Sequence, residues 1–311
     1  MSQKFFLVPV YGLANRLLMI ASAYRLCQRF GYELVLIWSD LDHPLSERRH
    51  YWGNFGEYFD TNINQISHPL TGKHVLIPCS KREDRFVIAN TEFGPWDIYL
   101  ERWTHAIFSE DDFNLDPRHL TEEYRFIFKH LIKPSANTNH YLEVHYSHLM
   151  SSLEQAKDDS QMLGLHIRKG ANIDVHNHTY VNYHSIGNIQ IFKNTLVALQ
   201  HLSLKKVFIS CQVRRDLEEI KSLLELHGIT VFHHSLESFP DPPLNNQNSD
   251  VQIRKSVCDF LMLSKSTVVM STQNSTFGAL AALISGRPRL IMGTHGNIEV
   301  LPSTLLSGGG L

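Results

Sequence analysis

The chain has 311 residues, 43% of them hydrophobic and 19% charged, which suits two domains of about 150 residues, or one large α/β domain, with real apolar cores. Its 29 Lys and Arg stand against 31 Asp and Glu, a net charge of -2. That balance lacks the basic excess of a duplex-binding protein, so nucleic acid is not an expected partner.

No apolar run reaches transmembrane length. Met1-Ser2-Gln3-Lys4 leads straight into an apolar run without the n- and h-regions of a signal peptide. The four cysteines, Cys27, Cys79, Cys211 and Cys258, show no CxxC spacing. Cys27 and Cys258 fall in apolar helical patterns and Cys211 ends an apolar strand pattern, so all three read as small core residues. The expectation is a soluble, cytoplasmic chain with no transmembrane segment.

In chain order, Phe5 to Val10 is a first buried strand. The turn Tyr11-Gly12-Leu13-Ala14-Asn15-Arg16 opens a helix from about Ala14 to Phe30, with Leu13, Leu17, Ile20, Tyr24 and Cys27 at helical spacing. Gly31 stops it, and Glu33 to Trp38 is a second strand. This is a βαβ unit with a glycine turn after its first strand. The turn is not GxGxxG, and a dehydrogenase would also need an acid after the second strand, where Asp40 is a poor substitute. As a loop that offers a side-chain amide and helix N–H groups to a ligand, Gly12 to Asn15 is better suited. Alternatively Asn15 helps to cap the helix. Asp40 to Thr104 is rich in aromatic residues. Trp52, Tyr58, Trp96, Tyr99 and Trp103 either line a sugar-acceptor surface or pack beneath long loops. Arg118 to Ile132 and Asn139 to Leu153 read as helices, separated by Pro134-Ser135-Ala136-Asn137. The polar stretch Gln155 to Gln161 marks a domain boundary, giving domains of 1–155 and 156–306.

The second half alternates strand and helix. Strands are expected at Met162–Ile167, Lys206–Ser210, Ile229–Phe232, Thr267–Ser271 and Pro288–Met292. Helices are expected at Ile186–Leu202, Arg214–His227, Asp250–Ser264 and Thr276–Ser285. Such alternation implies a parallel sheet with helices on both faces. The architecture expected is α/β, with two Rossmann-like domains facing a cleft.

Open α/β sheets bind ligands past the carboxyl ends of their strands. There the first strand of the second half carries His166 and Arg168, two residues apart and so on one side of the strand. Arg168 presents a planar fork suited to phosphate, and Lys169 adds a point charge. A second strand-to-helix turn, Thr272-Gln273-Asn274-Ser275-Thr276-Phe277-Gly278, places hydroxyls and N–H groups at a helix start. Capping by Asn274 or Ser275, with Phe277 in the core, is the simpler explanation of that turn. Asp259 lies beside Cys258 and Phe260 on an apolar helix. It accepts either from the N–H groups of a nucleobase or from a nearby Lys or Arg.

The GxxN turn after strand one, the HxR strand end and the Asp-bearing apolar helix followed by a strand and an S-[ST]-F turn occur together and in that order. The chain thereby resembles the metal-independent fucosyltransferase superfamily of GT-B fold, which includes α-1,2-, α-1,6- and protein O-fucosyltransferases. The resemblance covers three short patches. It implies a GT-B-like fold, GDP-fucose as donor, inversion at the anomeric carbon, and neither metal nor cofactor; the sequence does not give the acceptor, for which a glycan hydroxyl is the default expectation. Carried over, Arg168 would hold the β-phosphate, His166 and Asp259 would contact guanine, and Ser275, Thr276 and the Phe277 turn would hold phosphate oxygens, with Lys169 beside them. Gly12 and Asn15 would face the donor diphosphate or the acceptor. Lys169 stands where many members have a second Arg, and Ala171 near where many have Asp. The strand end Phe208-Ile209-Ser210-Cys211 lacks the acid often found just after it.

Asp174, His176 and His178 follow the Arg and are candidate general bases, Asp174 first, unless the leaving phosphate itself takes the proton. His176, His178 and His184 lack the HExxH spacing of a zinc helix, and no metal site is expected. Two other functions stay open: a transferase of the same fold using a UDP- or GDP-linked xylose, rhamnose or mannose, and a non-catalytic nucleotide- or glycan-binding protein.

Overall fold

The structure, a computed structural model, describes residues 4–9, 12–38, 54–66, 75–78, 85–88, 98–102, 116–155, 161–168, 171–174, 179–182, 186–239, 250–272, 275–293 and 297–301. For 75–78, 85–88, 98–102, 152–155, 171–174 and 179–182 it describes the backbone alone, as it does for Val8, Ile66 and Pro117. The chain divides into two compact units, residues 1–139 with 243–257, and residues 140–242 with 258–310.

In the first unit, β1 (Lys4–Pro9) runs into α1 (Leu13–Phe30) and β2 (Glu33–Ile37). The helix ends where Gly31 takes a left-handed conformation at φ 73, which costs a residue without Cβ nothing. A short α2 (Phe55–Tyr58) precedes β3 (Phe59–Asp60) and β4 (Asn64–Ile66). Then come β5 (Val75–Pro78), β6 (Arg85–Ile88), β7 (Ile98–Arg102), α3 (Pro117–Leu131) and β8 (Lys133–Pro134). The main sheet has the order β4-β2-β1-β7-β6-β5. Its first four strands are mutually parallel, and β7, β6 and β5 continue as an antiparallel meander. That meander lies within the aromatic-rich stretch Asp40–Thr104. The parallel part is Rossmann-like: β1 is central and the strand order reverses between it and β7. Among the aromatic residues of Asp40–Thr104, Tyr58 is fully buried and donates to Asp250 at 3.3 Å, so it packs rather than lines a surface. Trp52, Trp96 and Trp103 lie outside the described residues, and Tyr99 is described by its backbone alone.

The single helix expected over Asn139–Leu153 is two, α4 (Ala136–His145) and α5 (Ser147–Gln155), with a bend at Tyr146. The bend is where a buried Tyr146 donates to Asp259. The expected boundary at 155/156 differs from the division at 139/140 because α4 serves both units. Thr138 Oγ1 donates to the Tyr58 carbonyl at 2.8 Å, whereas Tyr141 and His145 bond to His234 and Ser238. The helix expected over Asp250–Ser264 is also shared. Arg254 pairs with Asp250 at 2.8 Å in the first unit, and the residues from Cys258 onward belong to the second.

The second unit holds β9 (Leu163–Ile167), the hairpin β10 (Ala171–Asp174) and β11 (Thr179–Asn182), α6 (Asn188–His201), β12 (Lys206–Cys211), α7 (Arg214–Leu226) and β13 (Thr230–His233). It continues through α8 (Asp250–Ser264), β14 (Val268–Thr272), α9 (Thr276–Ser285), β15 (Arg289–Met292) and β16 (Ile298–Leu301). Its sheet has the order β13-β12-β9-β14-β15-β16. Counted within the sheet this is 3-2-1-4-5-6, the order of a dinucleotide-binding Rossmann sheet. Only the last pair is antiparallel. Both units are therefore Rossmann-like.

Period-two alternation decides what β9 shows to each side. Leu163, Leu165 and Ile167 join Val207, Ile209, Met270 and the apolar sides of α6 and α7 in one core. Gly164, His166 and Arg168 consequently point to the opposite face. Helix α9 lies close against that face: a Cβ added to Gly278 would stand 2.5 Å from Ser271 Cβ. Glycine there is a packing requirement, since no other residue lets helix and strand approach so closely.

Candidate functional site

The reversal of strand order in the second unit falls between β9 and β14, where α/β sheets bind ligands. Three side chains form a row across this point, because Ser210 and Ser271 are both in register with His166 on the neighbouring strands. The row is buried and polar: α8 satisfies Ser210, the α9 cap meets His166, and Arg289 of β15 donates to Ser271.

Ser275, 1% exposed, is the N-cap of α9. Its Oγ accepts from the Gly278 amide at 3.1 Å and lies 2.8 Å from His166 Nδ1. The His166 ring stacks on Phe277 at 4.8 Å, and Phe277 meets Phe260 edge-on at 5.2 Å. The Ser275 hydroxyl is thus committed to cap and histidine, and it shapes the turn. Thr276 and Phe277 are half-buried beside it, while Gln273 and Asn274 lie outside the described residues.

Arg168 extends β9 by one residue. Its amide donates to Thr272 Oγ1 at 3.3 Å, tying the carboxyl ends of β9 and β14 together. The guanidinium is half-buried. Among the described residues it has no hydrogen-bond or ion-pair partner, and burial lowers its pKa. A desolvated cation without a counter-charge is costly, and its position at the strand ends makes an anionic ligand the natural partner. Lys169 lies outside the described residues. Asp174 is described by its backbone alone, at the end of β10 and paired with Thr179.

Asp259 is 2% exposed. Tyr146 Oη donates to its Oδ1 at 2.6 Å and Ser210 Oγ to its Oδ2 at 2.9 Å. Burial first, then the negative Asp259, pushes the Tyr146 pKa well up, so the phenol is a permanent donor. Each carboxylate oxygen thus accepts from a buried hydroxyl of the same unit.

In the first unit, the reversal between β1 and β7 holds Gly12 and Asn15. Gly12 is the N-cap of α1 and provides no side-chain cap. Asn15 is half-buried, and its Oδ1 is buried without a hydrogen-bond partner among the described residues. It does not cap the helix. Gly12 and Asn15 sit at the start of the unit's central helix, on the carboxyl side of its central strand.

Sequence reasoning missed a second polar cluster, where β13 ends. His145 and His234 stack at 5.2 Å, Tyr141 Oη lies 2.9 Å from His234 Nε2, and His145 Nδ1 lies 2.7 Å from Ser238 Oγ. The paired histidines after a strand were its only signal. Burial, then His140, lowers the His145 pKa, and burial chiefly lowers that of His233. Unfolding returns both to the ordinary value of 6.5. The unfolded chain then binds more protons, so their contribution to stability is present above 6.5 and is lost as pH falls through the lower folded values. The melting temperature is expected to fall from about pH 7.5 to about pH 5.5. His145→Phe, which keeps a ring against His234, should make that decline shallower; an unchanged slope would place the acid loss elsewhere.

Among the described residues no group of three His, Cys, Asp or Glu could hold a metal ion, and no helix is long and apolar enough to cross a membrane. His176, His178 and His184 lie outside the described residues, as does Cys79; Cys27, Cys211 and Cys258 are buried and form no disulfide among the described residues.

No family model matches the chain, and no curated protein matches its sequence. Solved structures do match it. Fucosyltransferase NodZ from Bradyrhizobium is 15% identical with a TM-score of 0.56, over 97% of this chain and 100% of that one. A mutant of Arabidopsis thaliana FUT1 in complex with GDP is 12% identical with a TM-score of 0.56, over 94% of this chain and 70% of that one. NodZ α-1,6-fucosyltransferase soaked with GDP-fucose is 14% identical with a TM-score of 0.51, over 97% of this chain and 99% of that one. Identities this low speak for the fold. The chain has a GT-B-like fold, and the likeness extends over nearly its whole length.

Proposed function

We propose that this chain is a glycosyltransferase that moves fucose from GDP-fucose to a hydroxyl of a glycan, with inversion and without a metal or other cofactor. The observation that supports it best is the Arg168 guanidinium, without a hydrogen-bond or ion-pair partner among the described residues, at the strand-order reversal where β9 and β14 are tied together. As the bond from the anomeric carbon to the diphosphate breaks, the sugar becomes cationic and negative charge collects on the departing oxygens. A preorganised cation aimed at that charge is often the largest catalytic contribution. Arg168 supplies it at the β-phosphate, with Lys169 beside it. His166, Thr276 and Phe277 form the wall of the donor site. Asn15 Oδ1, an acceptor without a donor, suits a hydroxyl of the acceptor glycan, and Gly12 leaves the approach to it open. The acceptor proton goes to Asp174 or to the leaving phosphate.

A second reading keeps the fold and changes the donor to another nucleotide-sugar. It is favoured by Asp259, both of whose oxygens accept hydrogen bonds from within the chain, from Tyr146 and Ser210.

Thermal melts in EDTA with GDP, UDP, ADP, GDP-fucose, UDP-xylose and UDP-glucose separate the two. A ligand at about 100 times its Kd stabilises the folded chain by about 2.7 kcal/mol. Selective stabilisation by GDP and GDP-fucose is the expected result. Selectivity for the uridine ligands would discard fucose, and a flat panel would discard the nucleotide-sugar site altogether.

A further inference from the structure

Arg289 was read from sequence only as the start of a last strand. Its guanidinium is 8% exposed. In register it sits beside Val269, near the amino end of β14, yet its side chain reaches up the sheet beneath α9. There Nε donates to Ser271 Oγ at 3.0 Å and one terminal nitrogen donates to the Ser275 carbonyl at 3.0 Å. That carbonyl also accepts the first helical bond of α9, from the Ala279 amide at 3.0 Å. Ser275 Oγ in turn meets His166. Arg289 therefore anchors a buried polar chain that runs through the N-cap to the ring stacked on Phe277.

What the guanidinium lacks is a negative charge. Among the described residues no carboxylate pairs with it, and burial alone draws its pKa down to about 10. Buried arginines are ordinarily paired, because a carbonyl and a hydroxyl compensate only part of the desolvation of a full charge. Arg168 shows the same deficit on the strand on the other side of β14. The two unpaired cations flank a helix start whose own dipole is positive. The shortfall of negative charge at one strand end is what a diphosphate would supply.

We propose that Arg289 is a positioning residue of the donor site: it fixes the α9 N-cap through the Ser275 carbonyl and contributes a buried positive charge that favours the donor's diphosphate. This rests on the reading of the site as one for a nucleoside diphosphate. Arg289 acts through Ser275 and through its field.

The test separates charge from structure. Calorimetric Kd values for GDP and guanosine, with UDP and uridine beside them, are measured in EDTA for the unaltered chain, Arg289→Gln and Arg289→Lys. Gln keeps a donor for the Ser275 carbonyl without the charge; Lys keeps the charge. A charge acting over several ångströms at an effective dielectric of about 20 is worth about ten- to a hundredfold in Kd. Arg289→Gln is therefore expected to weaken the diphosphate by at least about tenfold and the nucleoside by less than about twofold. Arg289→Lys should retain diphosphate affinity within about threefold. Equal losses for diphosphate and nucleoside, or no loss, would overturn the proposal while leaving the site reading intact. Failure of the unaltered chain to bind either diphosphate would overturn both. Should Arg289→Gln not fold, Arg289→Lys decides: its ratio of nucleoside to diphosphate Kd stays within about threefold of the original, and a tenfold fall sinks the idea.

Discussion

Replacing Arg168 by Ala is expected to lower fucosyl transfer by about 10²–10³-fold, the usual cost of losing one preorganised donor to a developing charge. The same variant should melt at an unchanged or slightly higher temperature. The guanidinium has no described partner to lose, and its burial disfavours the charge it carries. Its backbone tie to Thr272 is independent of the side chain. The combination separates a ligand-directed cation from a structural one, whose removal would strand a buried acid and cost stability. Arg168→Lys should fall between, since a point charge replaces part of the field but not the fork. Turnover is read from released GDP and circular dichroism checks the fold. Near-normal turnover in a folded Arg168→Ala variant would remove the residue from the mechanism.

Asp259→Ala should act in the opposite sense, mainly on the fold. It strands Tyr146 Oη and Ser210 Oγ, which now donate to the carboxylate from the α4–α5 bend and from β12. Each buried hydroxyl left unpaired costs about 1–3 kcal/mol, and the space left by the carboxylate adds to that. A loss of about 3–5 kcal/mol, read from denaturant midpoints, places it among severe single substitutions. Asp259→Asn should cost less, because the amide can still bond to both hydroxyls. Unchanged stability of Asp259→Ala together with a lost preference of GDP over UDP would assign the carboxylate to the base after all.

The alternation of the second half was plain in the residues because its central strands β9, β12 and β14 are buried almost throughout and read as continuous apolar runs. The helices over Asp250–Ser264 and Thr276–Ser285 are found at those residues, and the strands within about two. The pairing of His166 with Arg168 on one side of β9 needed only the period of a strand. What stayed hidden depends on contacts between distant residues. The Tyr146 bend is set by an acid 113 residues away. The meander of β5, β6 and β7 rests on strand pairing that short runs such as Val75–Pro78 do not announce. Arg289 looked like a charge at the head of a strand, although a cation between Pro288 and an apolar run was itself a signal. Two partners of Asp259, Tyr146 and Ser210, are neutral hydroxyls, which no charge pattern reveals.

The central position of β14 also bears on how the protein is made. Arg168 and Thr272, joined at the strand ends, are 104 residues apart in the chain. Domains generally form as the chain leaves the ribosome, N-terminal parts first. Between the synthesis of β12 and that of β14, β9 therefore has β12 on one side and an open edge on the other. Such an edge is a template for pairing with another chain. Closure comes when β14 inserts, and the same step brings the α9 cap to Arg168. A nascent chain halted before β14 would thus expose an aggregation-prone edge and carry no anion site.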